Sequence, residues 1–157
     1  MLGTKDGGTE KMEPDTKGKS KKMSWYTQQN KMIHELNNSV FSKDPINKQM
    51  DPMSPIDVHN TNYVMELKNR EAYTPDRFDG SLIEKMKYDF LMKNCGDKIP
   101  GYVCKFKDGS YWAWNLKKIP EPKWYDKMLP ETTHFDKSGW INKKVGDLKL
   151  KDGVKLL

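Results

Sequence analysis

The side chains of this chain that could do chemistry lie close together in its middle third. Residues 63–68 predict a strand ending in Glu-x-Lys, and Asp57 lies nine residues before Glu66. Side chains alternate faces along a strand, so Glu66 and Lys68 are expected to point the same way. Two carboxylates and an ammonium at one place would hold a divalent metal ion and a water against a phosphodiester. The pattern therefore points to metal-dependent phosphodiester hydrolysis.

Each of these groups has a candidate role. Mg²⁺ or Mn²⁺ would supply much of the charge stabilisation that the reaction needs. Mg²⁺ prefers oxygen ligands and often takes only one or two carboxylates. Asp57 and Glu66 are the candidate ligands, with the backbone carbonyl of Leu67 as a third. Lys68 is the candidate for orienting or deprotonating the attacking water, and Lys87 for holding a phosphate.

A helix and a hairpin are predicted to position the first residues of this group. Apolar residues recur at helical spacing over residues 24–40, which predicts a first helix. Glu35 borders its apolar stripe and is a candidate acceptor for a water at the site. Residues 56–58 and 63–68 predict an antiparallel hairpin, in which Asp57 and Glu66 would converge. A further short strand is expected near residue 46.

A second helix and a second hairpin follow. Ser81 and Glu84 match a capping box, so a helix is predicted from there to about residue 94. The apolar stripe of this helix comprises Ile83, Met86, Phe90 and Leu91. Lys87 lies within this stripe, where a lysine is costly unless it reaches water or an anion. Residues 101–107 and 110–116 alternate on either side of an Asp-Gly turn and predict a hairpin.

Length and charge indicate the domain organisation and the kind of partner. The 157 residues suggest a disordered basic tail over residues 1–22 and one domain over residues 23–157. The net charge is +6, of which +2 falls in residues 1–22 and +4 in residues 137–157. Lysine-rich ends are typical of proteins with a polyanionic partner. The candidate nucleic-acid contacts are Arg70, Lys105, Lys107, Lys143 and Lys144.

The cysteines and the hydropathy narrow the class of protein. Cys95 and Cys104 form no Cys-x-x-Cys pair, so the sequence does not indicate a zinc site, and a disulfide between them stays open. No run approaches the ~18 apolar residues of a membrane span, and no secretory signal opens the chain. A cytoplasmic protein with no membrane partner is expected.

The order of these features resembles the PD-(D/E)XK nuclease superfamily, which includes Holliday-junction resolvases and many phage nucleases. Asp57 takes the place of the motif's first acid, and Glu66 and Lys68 supply its (D/E)XK part. Glu35 matches a helical Glu of some members. Lys87 occupies the helix position where members often carry Gln or Lys. The resemblance covers roughly residues 24–116 and rests on short motifs.

The resemblance implies a fold and an activity. The fold is α/β of the α+β kind, restriction-endonuclease-like, with a central mixed sheet of about four to five strands flanked by helices. The activity is that of a Mg²⁺- or Mn²⁺-dependent endodeoxyribonuclease acting on DNA, branched DNA if resolvase-like, without a small-molecule cofactor. A homodimer is also implied. The sequence departs from the motif in one respect, because one residue lies between Pro55 and Asp57. The composition suggests a phage or mobile-element source, and a phage source would imply the host cytoplasm.

A second class of function fits the same sequence. A non-catalytic nucleic-acid-binding or structural accessory protein, associated with a virion or a ribosome, would also carry lysine-rich ends. The two hypotheses diverge at Glu66 and Lys68, because only a nuclease needs both side chains for metal-dependent cleavage.

Overall fold

A computed structural model describes residues 17–49, 54, 56–130 and 139–157, with side chains from residue 27 onward. Most of the predicted tail, and the proline at position 55, lie outside the described residues. Within the described ranges, no helix is long and apolar enough to span a membrane.

The described residues form two α-helices, nine β-strands and one short 3₁₀ helix. The helices are α1 (Lys17–Asn37) and α2 (Lys85–Asn94), and the 3₁₀ helix spans Leu150–Asp152. The strands are β1 (Asn47–Lys48), β2 (Val58–His59), β3 (Tyr63–Arg70), β4 (Gly80–Glu84), β5 (Ile99–Phe106), β6 (Tyr111–Asn115), β7 (Tyr125–Pro130), β8 (Trp140–Lys149) and β9 (Val154–Lys155).

The strands belong to two sheets. The larger one has the order β9-β6-β5-β3-β2-β1, and the smaller one has the order β4-β8-β7. In the larger sheet β3 and β5 pair in parallel, whereas the other neighbours are antiparallel. The protein is thus of the mixed α+β class that the sequence predicts, although its larger sheet has six strands instead of the four to five expected, and a second sheet of three strands is present.

The larger sheet is covered on both faces, which divides the core into two clusters. Side chains of β3 alternate, so Met65 and Leu67 face α1, whereas Val64 faces the side of α2 and the smaller sheet. The cluster on the α1 side includes Met32, Leu36, Val58, Met65, Leu67, Val103 and Tyr111. The cluster on the other side includes Val64, Ile83, Leu91, Tyr102, Cys104, Phe106, Trp114 and Leu148.

Both predicted hairpins are confirmed. β2 and β3 pair antiparallel with Val58 opposite Met65, and β1 next to them is the short strand expected near residue 46. β5 and β6 are joined by the Asp-Gly turn, where Gly109 has a φ of 84°. A positive φ at this position is favourable for glycine because it has no Cβ.

The start predicted for the second helix is wrong. Residues Gly80–Glu84 form β4, which pairs antiparallel with β8, and α2 begins only at Lys85 without a side-chain cap. Ser81 instead accepts a hydrogen bond from the Arg70 side chain at 3.2 Å. Ile83 is buried as a strand residue, and Met86 is 75% exposed instead of packed. Sheet pairing therefore overrides the local capping pattern.

The end predicted for the first helix also differs. α1 ends at Asn37, three residues before the predicted boundary, and Val40 lies exposed beyond it. The side chain of Asn37 explains this end, since it donates to the carbonyl of Ile46 and accepts from its N–H. These two hydrogen bonds fix the turn that leads into β1.

Candidate metal and phosphate site

The pairing of β2 with β3 brings Asp57 and Glu66 to the same face of the larger sheet. The backbone N–H of Asp57 donates to the carbonyl of Met65 at 3.1 Å, one step from the Val58–Met65 pair. The Asp57 carboxylate then accepts the N–H of Leu67 at 2.9 Å. In a strand the N–H and C=O of one residue point to the same edge, so the Leu67 carbonyl also faces the side of Asp57.

Glu66 is buried between two lysines. Its side chain is 3% exposed, and its two oxygens lie 3.3 Å from Lys68 Nζ and 3.4 Å from Lys87 Nζ. Lys68 shares its face because it is two residues further along β3. Lys87 reaches it from the first turn of α2. Both lysine side chains remain about 30% exposed, so their charges link a buried carboxylate to solvent.

The two carboxylates repel each other. Burial, and then the negative charge of Glu66, raise the pKa of Asp57 to about 7, although the Leu67 N–H and the charges of Lys87 and Lys68 oppose this. Like charges are held together at a cost to stability, which is typical of functional sites. A divalent cation between these oxygens would relieve the repulsion.

A cavity of about 440 Å³ adjoins these residues. Lys68, Arg70 and Lys87 line one part of it, and Lys143 of β8 lines another. These four cations face a single lining carboxylate, that of Glu84, which lies 3.4 Å from Lys143. An anion such as a phosphate would therefore meet an excess of positive charge beside Glu66.

The chain was compared with known families, proteins and structures. No family model, curated protein or solved structure matches this chain. The resemblance to PD-(D/E)XK nucleases therefore stays a prediction from short motifs. In the part of the chain that is described, no three His, Cys, Asp or Glu side chains gather around one point. The pair Asp57 and Glu66, with the Leu67 carbonyl, is nevertheless a set of hard oxygens that suits Mg²⁺, which keeps several waters.

Glu35 does not join these residues. Its carboxylate accepts hydrogen bonds from Lys105, at 3.1 Å, and from the hydroxyl of Tyr111. The Tyr111 hydroxyl is the main cause that lowers the pKa of Glu35. Both partners lie on the α1 face of the sheet, opposite to Glu66, because they alternate with the residues of the other cluster. Glu35 therefore lies on the opposite face of the sheet from the candidate site, contrary to the expectation that it accepts a water there.

The candidate nucleic-acid contacts fall into three groups. Lys105 is buried between Glu35 and Glu71, so it is not available to a phosphate, contrary to the expectation. Arg70 and Lys143 line the cavity instead of the outer surface. Lys107 is exposed, and Lys144 is exposed and bonded to Asp126.

Two cavity residues, Tyr102 and Glu84, were not among the site residues predicted from the sequence. Tyr102 is opposite Glu66 in the parallel pairing of β3 and β5, and its hydroxyl accepts from Arg70 at 3.4 Å. Glu84 lines the cavity because β4 pairs with β8. The alternation of β5 predicts the face of Tyr102, but its neighbour on β3 follows only from tertiary pairing.

The two cysteines, Cys95 and Cys104, are both buried and free.

Proposed function

We propose that the protein is a metal-dependent nuclease that hydrolyses phosphodiester bonds of DNA, with Mg²⁺ or Mn²⁺ held by Asp57, Glu66 and the carbonyl of Leu67. The observation that carries the proposal is the convergence of the buried Glu66 carboxylate, the half-buried Asp57 carboxylate and two lysines beside a cationic cavity. The homodimer and the restriction-endonuclease-like fold belong to the same proposal.

The residues divide the work of hydrolysis. The metal ion, when bound, stabilises negative charge on the phosphate and lowers the pKa of a water. Lys68, held 3.3 Å from Glu66 as an ammonium, donates a hydrogen bond that orients the attacking water, whose proton passes to the solvent. Lys87, held 3.4 Å from the other oxygen of Glu66, binds the phosphate beside the scissile bond. Both ammonium groups neutralise charge in the transition state, where a partly buried site makes them most effective.

The electrostatics of Asp57 argue against a purely structural role. A buried ion pair such as Glu66 with its lysines occurs in many proteins without catalysis. Asp57, however, costs stability when it is ionised beside Glu66, as its raised pKa indicates. A site that holds two carboxylates at such a cost fits a bound cation better than a packing function.

The test is cleavage of linear, branched and single-stranded DNA with and without Mg²⁺ or Mn²⁺. We expect cleavage that EDTA abolishes, and a loss of about 10²–10⁴-fold in rate for Glu66→Gln and for Lys68→Met. Glu121→Gln, at an exposed glutamate outside the cavity, is the matched control and should cut like the wild type. Circular dichroism would confirm that the variants fold.

Two outcomes would remove the assignment. One is unchanged cleavage by both Glu66→Gln and Lys68→Met. The other is a wild type that cuts no DNA with any divalent ion yet binds it, which is what the non-catalytic accessory protein predicts.

A further inference from the structure

The walls of the cavity come from both sheets. Lys68 and Arg70 belong to the larger sheet, whereas Leu129, Pro130 and Lys143 belong to the ribbon of β7 and β8 in the smaller sheet. The space beside the candidate site is therefore lined by both sheets. A ligand has to fit between them.

One part of the lining is fixed and cationic. The guanidinium of Arg70 is held by Ser81 at 3.2 Å, by the carbonyl of Leu82 at 3.4 Å and by the hydroxyl of Tyr102 at 3.4 Å. These contacts orient it before any ligand binds, which reduces the entropic cost of binding a phosphate. Lys143 adds a second charge from the ribbon.

The other part of the lining is apolar and aromatic. Leu82 and Leu129 contribute accessible aliphatic side chains and Tyr73 contributes a ring, whereas Tyr102 and Val145, which also line the cavity, are almost fully buried. A cavity that combines fixed cations with such a surface suits a ligand with a phosphate at one end and a flat, weakly polar ring at the other. Glu84 can accept hydrogen bonds from the amino edge of that ring.

The size of the cavity decides which form of nucleic acid enters. A volume of about 440 Å³ falls within the range of about 300–1,000 Å³ that is usual for small-ligand pockets. It has room for one nucleotide but not for a base pair with both backbones. A nucleotide in it must have left its stack, which costs least when the DNA is already single-stranded.

We propose that this cavity is a binding pocket for one unpaired nucleotide, so that the protein acts on single-stranded DNA or unpaired ends and not within an intact duplex. The inference rests on the proposed function, because it names the substrate of the same site. Arg70 and Lys143 bind the phosphate of that nucleotide, and the base lies against Tyr73 and Leu129.

A second cavity can hold the nucleotide next to the one in the first cavity. Tyr73 lines both cavities, and the second one, of about 410 Å³, is also lined by Arg77, Phe78 and Lys107. Phe78 is 61% exposed, with the Arg77 guanidinium 5.3 Å from its ring centroid. Exposed aromatic rings next to arginine are platforms on which unpaired bases stack. The two cavities thus form a track for a single strand.

The test compares two lysines. Lys143 lies in the cavity, whereas Lys118 is exposed and lines neither of the two cavities. The binding of a fluorescent oligonucleotide, single-stranded or in a blunt duplex, is measured by anisotropy at several salt concentrations with Ca²⁺ in place of Mg²⁺. Lys143→Gln should weaken single-strand binding about ten-fold and reduce the slope of log K against log salt by about 0.7. Lys118→Gln should change neither.

Two further variants keep the test decisive if Lys143→Gln folds poorly. Leu129→Trp should block the cavity and weaken single-strand binding at least as much. Phe78→Ala should weaken it about ten-fold through lost stacking. The wild type should bind the single strand at least about ten-fold more tightly than the blunt duplex, since only the single strand offers an unpaired base at no cost.

The outcomes separate the pocket from the nuclease activity. Equal binding and cleavage of single strand and blunt duplex, or equal effects of the two lysine variants, would overturn the pocket while leaving the nuclease proposal intact. The predicted binding pattern without cleavage of any DNA would support the pocket and remove the nuclease proposal.

Discussion

Replacing Asp57 with asparagine should stabilise the protein in the absence of metal. Burial and the charge of Glu66 raise the pKa of Asp57 from 3.8 to about 7. Asparagine keeps an oxygen that can accept the N–H of Leu67, now 2.9 Å from the carboxylate, but it carries no charge. The substitution therefore removes an electrostatic cost and retains the hydrogen bond.

The two pKa values of Asp57 set the size and the pH range of the effect. Between pH 3.8 and about 7 the folded protein holds a proton that the unfolded chain has released, so wild-type stability falls as the pH rises. At about 1.4 kcal/mol per pKa unit, the ionised carboxylate costs the folded protein roughly 4 kcal/mol above about pH 7. Below about pH 4 it is protonated in both states and this cost is absent.

Urea unfolding in EDTA between about pH 5 and about pH 8 measures this dependence. The stability gain of Asp57→Asn over the wild type should widen by about 1.4 kcal/mol per pH unit up to about pH 7, then level off. Asp89→Asn, at a side chain that is 53% exposed, is the matched control and should show no such widening. Mg²⁺ should narrow the difference by stabilising the wild type. A gain that is the same at every pH would refute the reasoning.

Two other predictions concern stability. Lys105→Ala should lower the free energy of unfolding by about 1–3 kcal/mol, because it removes the cation between two glutamates, and it should leave DNA binding unchanged. Lys118→Ala, at an exposed lysine, should change the free energy of unfolding by no more than about 0.5 kcal/mol. Equal losses of stability for the two variants in urea unfolding would contradict the buried role of Lys105. Gly80→Ala should cost more than about 4 kcal/mol, since φ is 119° and a methyl group would overlap the carbonyl of Leu148. Gly96→Ala, with a φ of 58° and open space, should cost about 1–2 kcal/mol, and similar melting temperatures for the two variants would be inconsistent with this packing.

Short-range patterns predicted the centre of the candidate site well. The alternation along β3 was enough to put Glu66 and Lys68 on one face, and the hairpin with β2 followed from two apolar runs and a turn. Lys87 was singled out because a lysine among apolar residues needs a partner, and its partner is Glu66 at 3.4 Å. In these cases the contacts are close in sequence or are demanded by the chemistry of one residue.

The position of Glu35 in the fold does not follow from sequence spacing. Its place beside an apolar stripe fits either face of the sheet, and the sequence does not say which face α1 covers. The packing of Met32 and Leu36 against Met65 decides it, and it turns Glu35 toward Lys105. Sequence spacing fixes relations within an element, whereas the face that an element covers depends on residues far along the chain.

The sequence by itself determined the α+β class, the two hairpins, and the set Asp57, Glu66 and Lys68 with its alternation. Only the tertiary structure decided that Gly80–Glu84 is a strand, because its partner β8 lies about sixty residues later. The same pairing carries Lys143 to the cavity. Strand pairing satisfies backbone hydrogen bonds between distant segments, and no local pattern records which segments will meet.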